Sequence, residues 1–122
     1  MGCSGDDLLR IVTALTEVTR GEGPSYSSFS VHGKKFGYYW PRTATAGLKQ
    51  TISEQLALVA ERPDVFEVQF TSGGFGWVVV TLARVDRREL TELVYEAWRL
   101  TAPEDLVATA PDPTKQVGRR RR

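Results

Sequence analysis

Two runs of alternating aromatic and small residues, Tyr26–Val31 and Lys34–Trp40, flank the dipeptide His32-Gly33. A two-residue connection of this kind needs positive φ, which Gly33 supplies without steric cost. The segment therefore predicts a β-hairpin with Val31 opposite Lys34. Once that register is set, the pleat sorts every side chain to one of two faces. Carried back without interruption, the pairing sets Phe29 against Phe36, Ser28 against Gly37 and Ser27 against Tyr38. Phe29, Val31, Phe36, Tyr38 and Trp40 then share one face, and Tyr26, Ser28, Ser30, Lys35, Gly37 and Tyr39 share the other. The phenylalanine pair assigns the first set to the core.

The flanking segments supply the layer that covers this core. Leu8, Ile11, Val12, Leu15 and Val18 recur at helical spacing, which predicts a helix over 6–18, capped by Ser4 or Asp6 and ended by Gly21, Gly23 and Pro24. Residues 42–46 read as irregular and 47–50 as a short strand. Thr51 and Glu54 have capping-box spacing and open a helix with a buried stripe of Ile52, Leu56, Val59 and Ala60, stopped by Pro63. Val65–Phe70 alternates, placing Phe66, Val68 and Phe70 inward. A turn over 71–76 leads to a β-branched strand from Trp77 to about Arg84. Asp86 and Glu89 begin a last long helix to about Leu100, burying Leu90, Leu93, Val94, Ala97 and Trp98, and Pro103 starts a short turn to Leu106. The order α-β-β-(β)-α-β-β-α predicts a two-layer α+β fold. Its antiparallel sheet has four to five strands, with helices on one face. The other face then exposes Tyr26, Tyr39, Trp77 and Val79 together. Such a patch marks an interaction site for a second copy of the chain, a ligand or a nucleic acid.

Composition narrows the function. The 122 residues suit one domain, assigned to 1–108, followed by a basic tail over 109–122 that carries too little apolar surface to order itself. No apolar run reaches the length of a membrane span, and the N-terminus has no basic segment followed by an apolar one. The expectation is a cytoplasmic protein without membrane partners. Cys3 is the lone cysteine and His32 the lone histidine, which excludes disulfide scaffolds and Cys/His zinc sites; no metal or cofactor is expected. Net charge is +1, but the tail holds five basic residues and one acid, leaving 11 basic against 14 acidic residues in 1–108. Affinity for a polyanion must come from a local patch or the tail. The candidates are Lys34, Lys35, Tyr39 and Arg42, together with Arg119, Arg120, Arg121 and Arg122.

Catalysis finds little support. His32 sits in a turn, and Cys3 lies in an N-terminal segment read as mobile. The carboxylate pairs Asp6/Asp7, Glu92/Glu96 and Glu104/Asp105 occupy caps or polar helix faces, where nothing tunes them toward acid–base work. The glycine-rich Ser72–Gly76 precedes a strand rather than a helix, so it lacks the helix N-terminus a phosphate cradle needs.

Several segments together have a familiar order. Ser28-Phe29-Ser30-Val31-His32-Gly33-Lys34-Lys35-Phe36, Glu61-Arg62-Pro63-Asp64-Val65-Phe66, Gly76-Trp77-Val78-Val79-Val80-Thr81-Leu82 and Glu89-Leu90 through Ala97-Trp98-Arg99-Leu100 resemble the successive motifs of the YjbR/MmcQ family. The resemblance implies a CyaY-like (frataxin-like) α+β fold and a non-enzymatic binding role. Members are commonly labelled DNA-binding, and some belong to antibiotic-biosynthesis clusters, which implies drug sequestration or self-protection. An aromatic small molecule would lie on Tyr26, Tyr39, Phe75 and Trp77. Many members carry a basic residue and a histidine just before the strand tryptophan; here Phe75-Gly76 stands in that place.

Overall fold

The structure, a computed structural model, describes residues 2–115. It contains a six-stranded, wholly antiparallel sheet of order β1-β2-β3-β4-β6-β5. The strands are β1 (Val18–Glu22), β2 (Ser27–Val31), β3 (Lys34–Trp40), β4 (Thr45–Thr51), β5 (Phe66–Ser72) and β6 (Phe75–Thr81). Helices α1 (Gly5–Thr13), α2 (Ile52–Glu61), α3 (Arg87–Arg99) and α4 (Glu104–Thr109) complete the α+β architecture. None of the helices is long and apolar enough to cross a membrane, among the described residues.

Four local expectations change. The strand expected to about Arg84 stops at Thr81, where Leu82–Arg84 forms a 3-10 turn. The first helix ends at Thr13 rather than 18. Glu17 takes a left-handed φ of 59°, and the β-branched Val18-Thr19 then pairs with Val31 and Ser30 as the edge strand β1. The strand expected over 47–50 runs from Thr45 to Thr51 in mid-sheet. The 71–76 connection tightens to Gly73-Gly74, with φ of 57° and 86°, as Ser72 pairs directly with Phe75.

Caps fix the helix starts. Ser4 and Asp7 form a complete capping box, whereas Thr51 and Asp86, where the spacing with Glu54 and Glu89 predicts one, cap one amide each. Hydrogen bonds from Ser4 hold the Asp7 carboxyl below its ordinary range. The N-terminal segment is not loose. The Cys3 N–H donates to the Leu82 carbonyl at 2.9 Å, Gly2 lies against the Ala83 backbone, and Cys3 is buried. Burial, reinforced by Asp7 and Asp86, pushes the Cys3 thiol up, away from the reactive thiolate.

The main core lies between the helices and one sheet face. Leu8 and Val12 of α1, Leu90, Val94, Ala97 and Trp98 of α3, and Phe29, Phe36, Leu48, Phe66, Val78 and Val80 of the sheet are all buried there. Trp98 is anchored by its indole N–H, which donates to the Thr16 carbonyl at 3.0 Å. On α2 the inward face is not the expected Ile52/Leu56 stripe. Gln55 is buried, donating from Nε2 to the carbonyls of Phe70 and Trp77, while Leu56 is 59% exposed. Gly76 makes that approach possible, since a Cβ there would lie 2.7 Å from the Gln55 carboxamide. Residues 109–115, the described part of the expected tail, do not hang free. Ala110 packs against the core, and Pro111 and Pro113 lie beside α1.

Candidate functional site

The helix-free side of the sheet carries a contiguous aromatic surface, and two β-bulges determine which rings reach it. In the hairpin, Val31↔Lys34 and Ser30↔Lys35 pair as the turn predicts, but Phe29 then pairs with Gly37 instead of Phe36. Phe36 is the additional residue. Phe36 and Gly37 both turn to the core, so every later side chain of β3 changes face. Tyr38 and Trp40, expected inside, emerge on the open face, and Tyr39, expected outside, packs toward the core against Gly5 of α1. The second bulge is in β5, where Val68 pairs with Val78 but Phe70 pairs with Trp77, leaving Gln69 as the additional residue. Phe70 is thereby moved from the expected core to the open face.

The rings form a chain across four strands. Tyr26 meets Tyr38 edge-on at 6.0 Å, Tyr38 stacks on Trp40 at 5.8 Å and contacts Trp77 at 5.6 Å, and Trp77 stacks on Phe70 at 5.2 Å. Trp77 is only 6% exposed, yet it stands outside the helix-side core; its cover is the ring cluster itself. Phe70 remains 40% exposed.

Charge divides in part along the same plane, with Glu67 of β5, opposite Val79, an exposed acid on the open side. The arginines of the helix layer are paired, Arg62 with Glu89, Arg87 with Asp7, Arg88 with Glu92 and Arg99 with Glu96. Between α2 and α3, Glu54, Glu89, Glu92 and Glu96 line an acidic hollow. By contrast, Lys34, Lys35 and Lys49 have no carboxylate partner within ion-pair distance among the described residues. Lys49 pairs across strands with Trp77 and sets its ammonium 4.1 Å from the Phe75 ring centroid. Partial burial, and then the nearby Lys34 charge, lower its pKa. A cation thus stands beside Phe75 from the neighbouring strand, although Phe75-Gly76 carries none ahead of Trp77.

The expected site residues separate. Tyr26 and Trp77 share the aromatic face, Phe75 lies beside Lys49 at its margin, and Tyr39 is on the other side of the sheet. Lys34 and Lys35 begin β3, whereas Arg42 follows its far end, about 20 Å of strand away. Arg42 instead joins Tyr26 and Tyr39 at a hollow of about 440 Å³ beside the β1–β2 connection. Arg119, Arg120, Arg121 and Arg122 lie outside the described residues. His32, with φ of 49°, completes the hairpin turn and contacts Glu17, a structural role. Tyr38, Trp40, Phe70 and Lys49 were missed; the first three could be found only by locating the bulges.

A two-layer α+β fold with one helix-free, aromatic sheet face defines the class of architecture. The YjbR family model matches residues 13–100, and the chain belongs to the YjbR family. Uncharacterised proteins of Mycobacterium bovis and Mycobacterium tuberculosis are 40% identical over 53 residues, 43% of this chain. The matched segment spans about two-fifths of those relatives' length, 41%. The crystal structure of Deinococcus radiodurans protein DR2400, described as a DUF419 domain, superposes with a TM-score of 0.69 at 20% identity, covering 80% of this chain and 77% of that one. This likeness establishes the fold.

Proposed function

We propose that this protein is a non-catalytic binding protein whose open sheet face takes single-stranded DNA. The observation that carries the reading is the coincidence of Tyr38, Trp40, Phe70 and Trp77 with the unpaired Lys35 and Lys49 on one face. Aromatic side chains on a sheet stack unpaired bases with little sequence preference, and flanking lysines meet the phosphates. The long helix α3 is poorly suited to duplex recognition, because its Arg87, Arg88 and Arg99 are each paired with a carboxylate and it also displays Glu92 and Glu96. Placing the polyanion on the sheet also keeps it clear of the acidic hollow between α2 and α3, and leaves Glu67, opposite Val79, as an exposed carboxylate on the binding face.

The test is anisotropy of a labelled oligothymidylate over a salt series, with the double variant Lys35→Ala/Lys49→Ala. Each lysine that neutralises a phosphate contributes about −0.7 to the log–log salt slope for a single strand, so the variant should lose about 1.4. An unchanged slope, or no binding at low salt, refutes the reading. A second reading, a small aromatic ligand, is supported by the hollow between Tyr26, Tyr39 and Arg42, whose volume falls in the range of ligand sites. Arg42→Ala with retained oligonucleotide binding but lost ligand binding would separate the two.

A further inference from the structure

Gln69 is the additional residue of the β5 bulge, and its carboxamide lies on the aromatic face rather than in solvent. It reaches across β6 to Gly47 of β4, where the missing side chain leaves room for it beside Trp40; a Cβ on Gly47 would lie 2.8 Å from Trp40 Cη2 and collide with Gln69 Oε1. Oε1 is fully covered and has no hydrogen-bond partner among the described residues. A covered acceptor without a donor costs free energy, and natural structures keep few of them. Exchange of the amide's N and O would leave a donor stranded in the same place. Bulges that re-aim a side chain occur preferentially beside functional sites.

We propose that Gln69 reads the hydrogen-bonding edge of an unpaired nucleobase lying on this face. The inference rests on the single-strand reading above and names its specificity-determining residue. A carboxamide offers one acceptor beside two donors. An unpaired thymine presents N3–H beside a carbonyl oxygen, so once the Trp40 ring lifts off the covered carboxamide, Oε1 accepts from N3–H while Nε2–H donates to O4. In a duplex that edge is occupied by the partner base. The same geometry therefore selects unpaired over paired bases, while the rings beside it supply stacking without choosing among bases. Gly47 keeps the carboxamide in place by admitting it under Trp40.

The experiment compares two labelled strands on the full chain, an oligothymidylate and the same strand built from N3-methylthymidine. Methylation keeps the charge and the stacking ring, removes the N–H donor and sets a methyl group on that same edge, so either effect acts only where a group faces N3. The unmodified strand should bind about tenfold more tightly, the discrimination of one bidentate contact. Gln69→Met, checked for an unchanged thermal transition, should bind both strands with the affinity of the methylated one. Equal binding of the two strands by the parent protein overturns the role of Gln69 while leaving the single-strand reading intact. So does a tenfold preference that survives in Gln69→Met. Binding of neither strand at low salt overturns the single-strand reading, and this inference with it.

Discussion

The two faces of the sheet are built from the same six strands and finish differently. The helix side is closed by α1, α2 and α3 over aliphatic residues and phenylalanines, with Trp98 fully buried and its indole N–H bonded. The open side is closed only by its own rings, so Trp77 is covered by Tyr38 and Phe70 rather than by another layer. One face is a core; the other is a surface that has packed against itself. A self-packed surface can exchange part of its cover for a ligand, which a three-element core cannot do without unfolding.

The sharpest way to break this contrast is to remove one tryptophan from each side. Burying such a ring and then truncating it costs about 3–5 kcal/mol. Trp98→Ala should fall near the top of that range and Trp77→Ala near the bottom, measured by urea unfolding. Equal costs would make the open side a second core. Glycines provide a smaller comparison. Gly76→Ala pushes on the buried Gln55 against α2 and should destabilise by about 1–3 kcal/mol. Gly47→Ala meets only the ends of Trp40 and Gln69, so it should cost about 1 kcal/mol while weakening oligonucleotide binding.

Ser4→Ala removes the cap of α1 on the closed side and should cost about 1 kcal/mol. Because Asp7 has a lowered pKa in the folded state, its contribution is present above its unfolded pKa and is lost as pH falls through the folded value. The variant should therefore show a flatter acid limb in a pH series of urea midpoints. The smallest stability change belongs to the open side. Lys49 has a folded pKa below its unfolded one, so the folded state releases its proton first and stability rises with pH across the interval between the two. Lys49→Gln should alter neutral-pH stability by no more than about 0.5 kcal/mol and remove that alkaline rise.

Much of this arrangement is legible in the residues. His32-Gly33 sets the hairpin, Thr51 and Asp86 cap α2 and α3, and the stripe from Leu90 to Trp98 faces inward as its spacing predicts. The bare aromatic face, with Tyr26 and Trp77 on it, follows from a single helical layer. What the sequence does not display is the change of phase at Phe36 and Gln69. Period-two reasoning has no term for an additional residue, so Tyr38 and Tyr39 exchange faces and Phe70 leaves the core. Strand β1 is hidden for a different reason, as Leu15 and Val18 continue the helical spacing beyond the point where the chain has already turned at Glu17. On α2 the polar Gln55 takes the inward position because two strand carbonyls await its amide, a tertiary demand that no apolar pattern records.

The bulge at Phe36 also bears on how such chains diverge. Removing the residue at 36 would leave Gly37 opposite Phe29, Tyr38 opposite Ser28 and Tyr39 opposite Ser27, so the rings at 38 and 40 would stay on the open face and the ring at 39 beneath the helices. A lineage can therefore lose or gain the additional residue here without disturbing this surface, and kin one residue shorter at that point would keep these rings on the same side of the sheet.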